Sequence, residues 1–443
     1  MAPTRFHRLP AVPVYLIVTG VGSAAFMMYA FISSVYRIVE AGLGPLELIL
    51  GGTVLEVSTV LFEVPTGVVA DVYSRRLSLI LGALLTGAGF ILEGLFPVFA
   101  VILAAQVLWG VGFTFRSGAL QAWIADELDN KSIGQVILRG SQAAQIGAII
   151  GIAVGVSVGS GYFDPPIPDL AVPLVLGGCI SILLGLFMAV AMPEEGFRPP
   201  AREERESWGT MARTFRQGVR LVRGRPALIA IFAIALFYGA SSEPFDRFSD
   251  LHILEVARYE LPGLAVLSPI AWWGMLSAAT MLLGIVGVEV LRRTVDIDVP
   301  RVAIRVLFVT NILAIASIVW FAFAGSFGTA IAAYLAYRVA RGLGSPALTV
   351  WTNQQLESGV RATVFSMQSQ MDALGQVATG PAMGVLATST TVRVALVAAA
   401  LLLAPPQAIF ARVMRSRKED ETATLCGPVM SSTRVVLTHA PGC

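Results

Sequence analysis

Long apolar stretches recur along almost the entire chain, and each is long enough to cross a lipid bilayer as a helix. Roughly 20 apolar residues in helical form span a bilayer core, where every backbone polar group must be satisfied within the segment. The pattern predicts twelve such helices, at residues 13–36, 45–70, 77–97, 98–124, 136–161, 169–191, 227–250, 268–290, 303–324, 326–352, 362–388 and 390–411. We therefore expect an all-α integral membrane protein.

An internal repeat divides these helices into two sets of six. Residues 117–147 align without a gap with residues 345–375, and the identical positions include Trp123 with Trp351 and Gly147 with Gly375. Shared apolar composition does not supply matched tryptophans and glycines. Parallel repeats of six spans are typical of transporters that rock two bundles around a site near the midplane.

The polar segments set the domain boundaries. We predict an N-terminal six-helix bundle at residues 1–192, a cytoplasmic linker at 193–226, a C-terminal six-helix bundle at 227–411 and a disordered cytoplasmic tail at 412–443. Residues 211–222 of the linker alternate apolar side chains with arginines. This pattern is typical either of an amphipathic helix on the membrane surface or of a solvated tether.

Composition and charge agree with a protein dissolved in lipid. The chain is 56% hydrophobic and 14% charged, whereas soluble domains are about 25% charged. Most arginines fall on one side of the predicted membrane, with Arg37, Arg247 and Arg393 among the few on the other, so the positive-inside rule places both termini in the cytoplasm. Arginine far outnumbers lysine, which indicates a bacterial gene and hence the bacterial cytoplasmic (inner) membrane.

Several other classes of protein are not indicated. The basic residues are accounted for by the loops that orient the protein in the membrane, so no basic surface indicates nucleic-acid binding. Cys179, Cys426 and Cys443 form no disulfide framework or metal spacing, and no phosphate loop for ATP is present. We see no nucleophile with a nearby base, and we expect no catalytic residues, no metal and no cofactor other than a proton gradient.

The second apolar stretch ends in the sequence FEVPTGVVADVYSRR. This resembles the loop signature of the major facilitator superfamily, with Gly67, Asp71, Arg75 and Arg76 at matching positions. Together with GVGFTFRSGALQAWIADEL on the fourth helix, it resembles the drug-exporter and tetracycline-resistance-like branch, whose members are drug:proton antiporters. Many antiporters carry an arginine on the fourth helix where this chain has Gln106.

The resemblance implies a conformational latch, which we define as the latch cluster: Gly67, Asp71, Arg75, Arg76, Asp126 and Glu127. Asp71 is expected to cap the turn after the second helix, while Arg75 reaches Asp126 or Glu127. In family members the aspartate also faces the start of the eleventh helix, here at Arg361, where the helix dipole favours an anion. Such a contact would hold the cytoplasmic side shut; a plain loop whose charges only set topology is the alternative.

Ionisable residues at membrane depth are candidates for proton coupling and substrate binding, because a charge there is costly. Glu63 and Arg116 should lie at similar depths, about 12 and 15 Å inward from the ends of their helices, and can pair. Glu56 lies on roughly the same face as Glu63. At the outer end of the seventh helix, a cluster forms either an external gate or a water boundary: Glu243, Asp246 and Arg247.

The eleventh helix carries Gln368, Gln370 and Asp372 near the middle of the membrane. The repeat partner of Asp372 is Ala144, so the symmetry of the fold does not require an acid there. Asp372 either handles proton or substrate, or it is a structural partner of Arg338 or Arg341. On the fifth helix, a stripe formed by Gly147, Gly151, Gly155 and Gly159 predicts close helix packing.

These features favour a secondary active transporter that exports an amphipathic small molecule, such as a drug, an antibiotic or a siderophore, by proton antiport with alternating access. Proton-coupled uptake of a nutrient by a symporter is the alternative, because direction depends on coupling rather than on fold. A non-transporting receptor or a membrane enzyme is the alternative of another class. The partners that we expect are a small-molecule substrate and the lipid bilayer, with no nucleic acid, and the protein is expected to be a monomer.

Overall fold

A computed structural model describes residues 8–128, 133–161, 166–197, 225–260, 269–356 and 361–425. Within these residues every regular element is a helix. The all-helical fold that the apolar pattern predicts is confirmed.

The helices form twelve segments, which we number as spans 1 to 12. Spans 1 to 6 are Ala11–Ala30 with Ser33–Val39, Pro45–Val68 with the π-helical turn Val69–Tyr73, Arg75–Leu95, Phe99–Arg116 with Ala119–Glu127, Ile133–Val158, and Ala171–Ala191. Spans 7 to 12 are Pro226–Glu260, Pro269–Thr294, Pro300–Ala322, Phe327–Gln354, Arg361–Ser389, and Val392–Leu401 with Ala404–Leu425.

Local sequence explains where several of these helices begin or break. Pro45 and Pro300 occupy the first turns of spans 2 and 9, where the missing N–H of proline costs nothing. The Ser74 hydroxyl accepts a hydrogen bond from the Leu77 N–H at 2.9 Å and caps span 3. In span 4, Gly118 has a φ of +68°, a left-handed conformation that glycine adopts readily, and it separates the two helices.

Ten of the twelve spans are apolar and long enough to cross a membrane. Spans 10 and 11 are as long but more polar, and they carry Arg338, Arg341 and Asp372. Polar residues within a span face protein or a water-filled cavity rather than lipid. The charged side chains of these two helices are therefore expected to face the interior of the molecule.

The two bundles repeat the same close helix pairing. Gly147 of span 5 lies against the backbone of Gly20 in span 1, and its repeat partner Gly375 of span 11 lies against the backbone of Leu236 in span 7. In the same pair of spans, Gly239 lies against the backbone of Asp372. The aligned glycines thus make equivalent contacts in the two halves.

The glycine stripe of span 5 makes the close contacts that its spacing predicts. Gly151 lies against the backbone of Ala24, and Gly155 lies against the ring of Phe31, both in span 1. Gly159 instead meets the side chain of Ile270 in span 8. The stripe therefore packs both within the first bundle and between the bundles.

The bundles meet on one side of the molecule. With twelve spans, both described ends of the chain lie on one face, which we call the terminal face; the opposite face is the distal face. Gly384 of span 11 lies against Leu46 and Ile49 of span 2, and Gly274 of span 8 lies against Val156 of span 5. All these positions are in the distal halves of their spans, so the distal face is closed by packing between the bundles.

The terminal face is more open. Gly67, near the terminal end of span 2, has no atom within 4 Å of the position that a Cβ would occupy. Asp71 is exposed, and Leu138 at the start of span 5 is 68% exposed. At the terminal face these residues are therefore not covered by the opposite bundle.

The structure describes the first part of the C-terminal tail but not most of the linker between the bundles. Residues 198–224, which include the possible amphipathic helix at 211–222, lie outside the described residues. The tail was expected to be disordered from residue 412, but the last helix continues to Leu425. Residues such as Arg412, Met414 and Arg415 are good helix formers and extend the helix beyond its apolar part; residues 426–443 lie outside the description.

Replacing Gly147 by alanine is expected to destabilise the protein, because the added methyl group meets the backbone of span 1. Overpacking of this kind typically costs about 1–3 kcal/mol. The melting temperature of the detergent-solubilised protein should fall. Gly284→Ala is the matched control, because its Cβ would meet nothing within 4 Å; equal melting temperatures for the two variants would contradict the close contact.

Candidate functional site

A central cavity of about 700 Å³ lies between the two bundles. Spans of both bundles line it, and its wall combines aromatic rings with charged groups. The aromatic residues are Phe26, Tyr29, Phe31, Trp109, Trp273 and Tyr334; the charged residues are Arg37, Glu56, Glu243, Asp246, Arg247, Asp250 and Arg338. This combination offers both apolar surface and electrostatic recognition to a solute.

Two ion pairs form the wall contributed by the second bundle. Arg247 donates through Nε to Glu243 at 2.9 Å along span 7. Arg338 of span 10 pairs with Asp246 at 3.0 Å, and its Nε donates to the Tyr334 hydroxyl at 3.1 Å. The proposed structural pair between Arg338 and Asp372 is therefore wrong, because Arg338 is already engaged by Asp246.

The predicted external-gate residues line the central cavity, where Asp246 is exposed and Arg247 is half-buried. Glu243 is buried and lines the central cavity with Asp246 and Arg247. Glu243 and Arg247 also lie directly against Gly52 of span 2. Arg247, expected outside the membrane, thus joins the two bundles near the closed distal face.

Two acids of the cavity have hydroxyl groups beside them, while arginines act on them only electrostatically. The Thr59 hydroxyl lies 3.4 Å from Oε2 of Glu56, and the Ser34 hydroxyl donates to Asp250. The contact between Ser34 and Asp250 crosses from span 1 to span 7. Glu56 therefore does line the cavity, as its position suggested, and Asp250 joins it.

The first bundle contains a buried polar network that the sequence did not reveal. Arg37 and Glu93 are 2% and 1% exposed, and they pair at 2.7 Å. Arg37 also donates to the Tyr29 hydroxyl at 2.6 Å, and Gln106 donates to Glu93 at 2.8 Å. Arg37 was expected outside the membrane; the signal that could have corrected this is the acid at Glu93, inside an apolar stretch.

Asp372 lies beside a second, smaller cavity of about 300 Å³ within the second bundle. Its carboxylate accepts a hydrogen bond from Nε2 of Gln376 at 2.9 Å. Arg341 lines the same cavity and interacts with Asp372 electrostatically. Gln368 and Gln370 are half-buried on the same span, but they line neither of the two cavities described.

Glu63 and Arg116 do not form the pair that their depths suggested. Glu63 accepts a hydrogen bond from the Ser117 hydroxyl at 2.9 Å. Arg116 instead packs between Gly22 of span 1 and Gly82 of span 3. Adjacent residues of a helix point about 100° apart. At the break before Gly118, Ser117 therefore faces Glu63, while the neighbouring Arg116 points in another direction.

The latch cluster is partly assembled at the terminal face. Arg75 forms an ion pair with Asp126, one of its two expected partners. Glu127 instead accepts hydrogen bonds from the backbone N–H groups of Glu195 and Gly196 at 2.7 and 2.8 Å. Arg76 donates to the backbone carbonyl groups of Met188 and Ala189 in span 6.

Asp71 lies in the turn between spans 2 and 3, and the cap of span 3 is Ser74. That turn, Val69–Tyr73, is π-helical, and the Ser74 hydroxyl is the capping group. The same hydroxyl donates to Glu194 at 2.8 Å. The side chains at the start of span 11, residues 361–363, lie outside the described side chains, so the contact of Asp71 with that helix stays a prediction.

Comparison with solved structures shows the same fold over nearly the whole chain. A bacterial homologue of the human lysosomal transporter Spinster, in an inward-facing and unoccupied conformation, has a TM-score of 0.72 at 15% identity, covering 95% of this chain and 99% of that chain. The nucleoside transporter NupG has a TM-score of 0.71 at 14% identity, covering 90% and 98%. A POT family transporter in complex with 5-aminolevulinic acid has a TM-score of 0.66 at 13% identity, covering 92% and 96%.

Sequence comparison identifies the family. An uncharacterized MFS-type transporter of Bacillus subtilis (strain 168), YxaM, is 22% identical over 405 residues, which are 90% of this chain and 94% of the relative. Residues 15–380 match the family model of the Major Facilitator Superfamily. The chain therefore belongs to the major facilitator superfamily and is a multi-pass membrane transporter rather than an enzyme.

Proposed function

We propose that this transporter exports an amphipathic small molecule by proton antiport. The observation that carries the proposal is the central cavity, which both bundles line and which packing closes at the distal face. Transporters built from two repeats bind their substrates at such a position and expose them alternately to the two sides. In this proposal the terminal face lies in the bacterial cytoplasm, where the open cleft receives the solute.

The lining of the cavity favours a cationic solute with apolar rings. Its volume of about 700 Å³ falls within the range of roughly 300–1,000 Å³ that is typical of sites for drug-sized ligands. Among the described residues Glu56 and Asp250 form no ion pair within 4 Å, and Arg247 acts on both only electrostatically, so their charges are available to a cation. Aromatic faces such as those of Trp109 and Trp273 attract the same kind of ligand.

Coupling to protons requires no cofactor, because carboxylates at membrane depth can carry the proton themselves. Glu56 and Asp372 are the candidates that the cavities support, because each lines a cavity. Since one chain contains both bundles, we propose that the monomer is the functional unit.

In this proposal the latch cluster stabilises the second state, in which the terminal face is closed. Arg75 and Asp126 join the start of span 3 to the end of span 4, while Asp71 is exposed at the terminal face. When the bundles rock and that face closes, Asp71 meets the N-terminus of span 11, whose dipole favours an anion.

Uptake of a polar nutrient is the second candidate function. The solved nucleoside transporter NupG shares the fold, and ion pairs on the cavity wall, such as Arg338 with Asp246, also suit a polar solute. Fold and cavity do not set the direction of transport, which depends on the sign of coupling to the proton gradient.

Expression in a bacterial host that lacks its own efflux pumps is expected to lower the accumulation of cationic amphipathic dyes such as ethidium. An uncoupler should restore accumulation, because it removes the gradient that drives export. Cell-associated dye fluorescence across a panel of compounds measures both effects. Efflux that an uncoupler does not change would rule out proton antiport, and dye accumulation that rises on expression would favour uptake.

Asp71→Asn is expected to slow turnover more than it weakens solute binding, because it removes the charge that stabilises the closed terminal face. An anion at a helix N-terminus is typically worth about 1 kcal/mol, which is roughly a fivefold change in the ratio of the two states. Dye efflux rates and dye binding to the purified protein provide the measurement. Asp298→Asn, an exposed acid in the loop between spans 8 and 9, is the control, and equal loss of binding and turnover in Asp71→Asn would contradict the latch.

A further inference from the structure

The two cavities are joined by a single amide side chain. Gln376 lines the central cavity between the bundles, and its Nε2 donates a hydrogen bond of 2.9 Å to Asp372. Asp372 lines the second cavity, within the second bundle. An amide has two N–H donors and a carbonyl acceptor, so Gln376 can bind a solute while it still holds Asp372.

The second cavity has several polar side chains in a partly apolar wall. Asn311 is 2% exposed and lines this cavity. Its Nδ2 donates to the carbonyl of Leu403 at 3.0 Å and to Gln407 at 2.9 Å, whereas its Oδ1 has no partner among the described residues. A cavity of about 300 Å³ that offers such polar partners has room for several water molecules, which can exchange a proton with Asp372.

The charged and titratable groups that act on Asp372 come from three neighbouring spans. Glu56 of span 2, Asp246 of span 7 and Arg341 of span 10 influence it electrostatically. Arg341 lies over the ring of Tyr238 in span 7, 4.3 Å from its centroid, and does not form an ion pair with Asp372. The hydrogen bond from Gln376 is therefore the direct contact that fixes the carboxylate.

We propose that Gln376 is a positioning residue that transmits occupancy of the central cavity to Asp372, and that Asp372 exchanges the transported proton with the second cavity. This rests on the proposed proton coupling. A hydrogen bond donated to a carboxylate favours its ionised form. A solute donor bound to Oε1 of Gln376 polarises the amide and strengthens its donation to Asp372. The Asp372 carboxyl group then passes its proton to water in the second cavity, and solute binding expels a proton, as antiport requires.

Infrared difference spectroscopy of the purified protein in nanodiscs, recorded across pH, measures the protonation of buried carboxyl groups without any transported solute. Asp372→Asn should remove one titrating carboxyl band and thereby assign it. In Gln376→Leu, the midpoint of that band should move to higher pH by about one unit, the size expected for losing a hydrogen bond to a charged group. Gln376→Met, which also lacks the donor, is the second variant if leucine lowers the melting temperature.

Gln368→Leu is the matched control, because Gln368 is an amide on the same span that lines neither cavity; its midpoint should equal that of the wild type. A wild type without an Asp372 band would overturn the inference. So would an unchanged midpoint in both Gln376 variants, or an equal shift in Gln368→Leu. The assay measures protonation without any transported solute. Its result can therefore be interpreted even if the protein does not export its solute.

Covalent occupancy of the central cavity tests the link itself. Thr280 lines that cavity, and Thr280→Cys can be modified with iodoacetamide, which leaves a carboxamide with N–H donors, in a background with serine at Cys179, Cys426 and Cys443. Modification should shift the midpoint of the Asp372 band when Gln376 is present and leave it unchanged in Gln376→Leu. A shift of equal size in both backgrounds, or in neither, would overturn the role of Gln376.

Discussion

The cost of placing charge in a membrane is the constraint on which the rest of this structure depends. The chain meets that cost in two ways. Arg37 and Glu93 form a buried ion pair in the first bundle, where the Tyr29 hydroxyl and the Gln106 amide complete the network and Arg37 borders the central cavity. The remaining charges, such as Arg247 with Glu243, face the cavity between the bundles. A solute that enters the cavity therefore meets charges whose desolvation the fold has already compensated, which suits selective binding.

Helix contacts within each bundle differ in their position from the contacts between the two bundles. Within each bundle, glycines bring backbones together, as Gly147 does on span 1 and Gly375 on span 7. Contacts this close are sensitive to an added methyl group and favour each bundle moving as a unit. Between the bundles, the close contacts described lie in the distal halves of spans 2, 5, 8 and 11. Rocking about the cavity can thus exchange a closed distal face for a closed terminal one, where the latch cluster lies.

The twelve spans and the repeated glycine contact could be predicted from the sequence, because apolar length and matched positions along the chain determine them. Side-chain partners could not, because they depend on how each helix is rotated and where it breaks. At the break before Gly118, the partner of Glu63 is Ser117 rather than Arg116. The turn that contains Asp71 is π-helical, and Ser74 caps the helix that follows it. Arg37 was assigned to a loop because its apolar stretch ends at residue 36, whereas a second helix carries span 1 on to Val39.

The central claim is that the distal face must open and close around the cavity during transport. A disulfide between Ile49→Cys and Gly384→Cys, whose positions are in contact across spans 2 and 11, tests it directly in a background without the native cysteines. The account predicts that oxidation stops dye efflux, that reductant restores it, and that each single-cysteine variant remains active under both conditions. Efflux at the full rate with the disulfide formed would contradict the account.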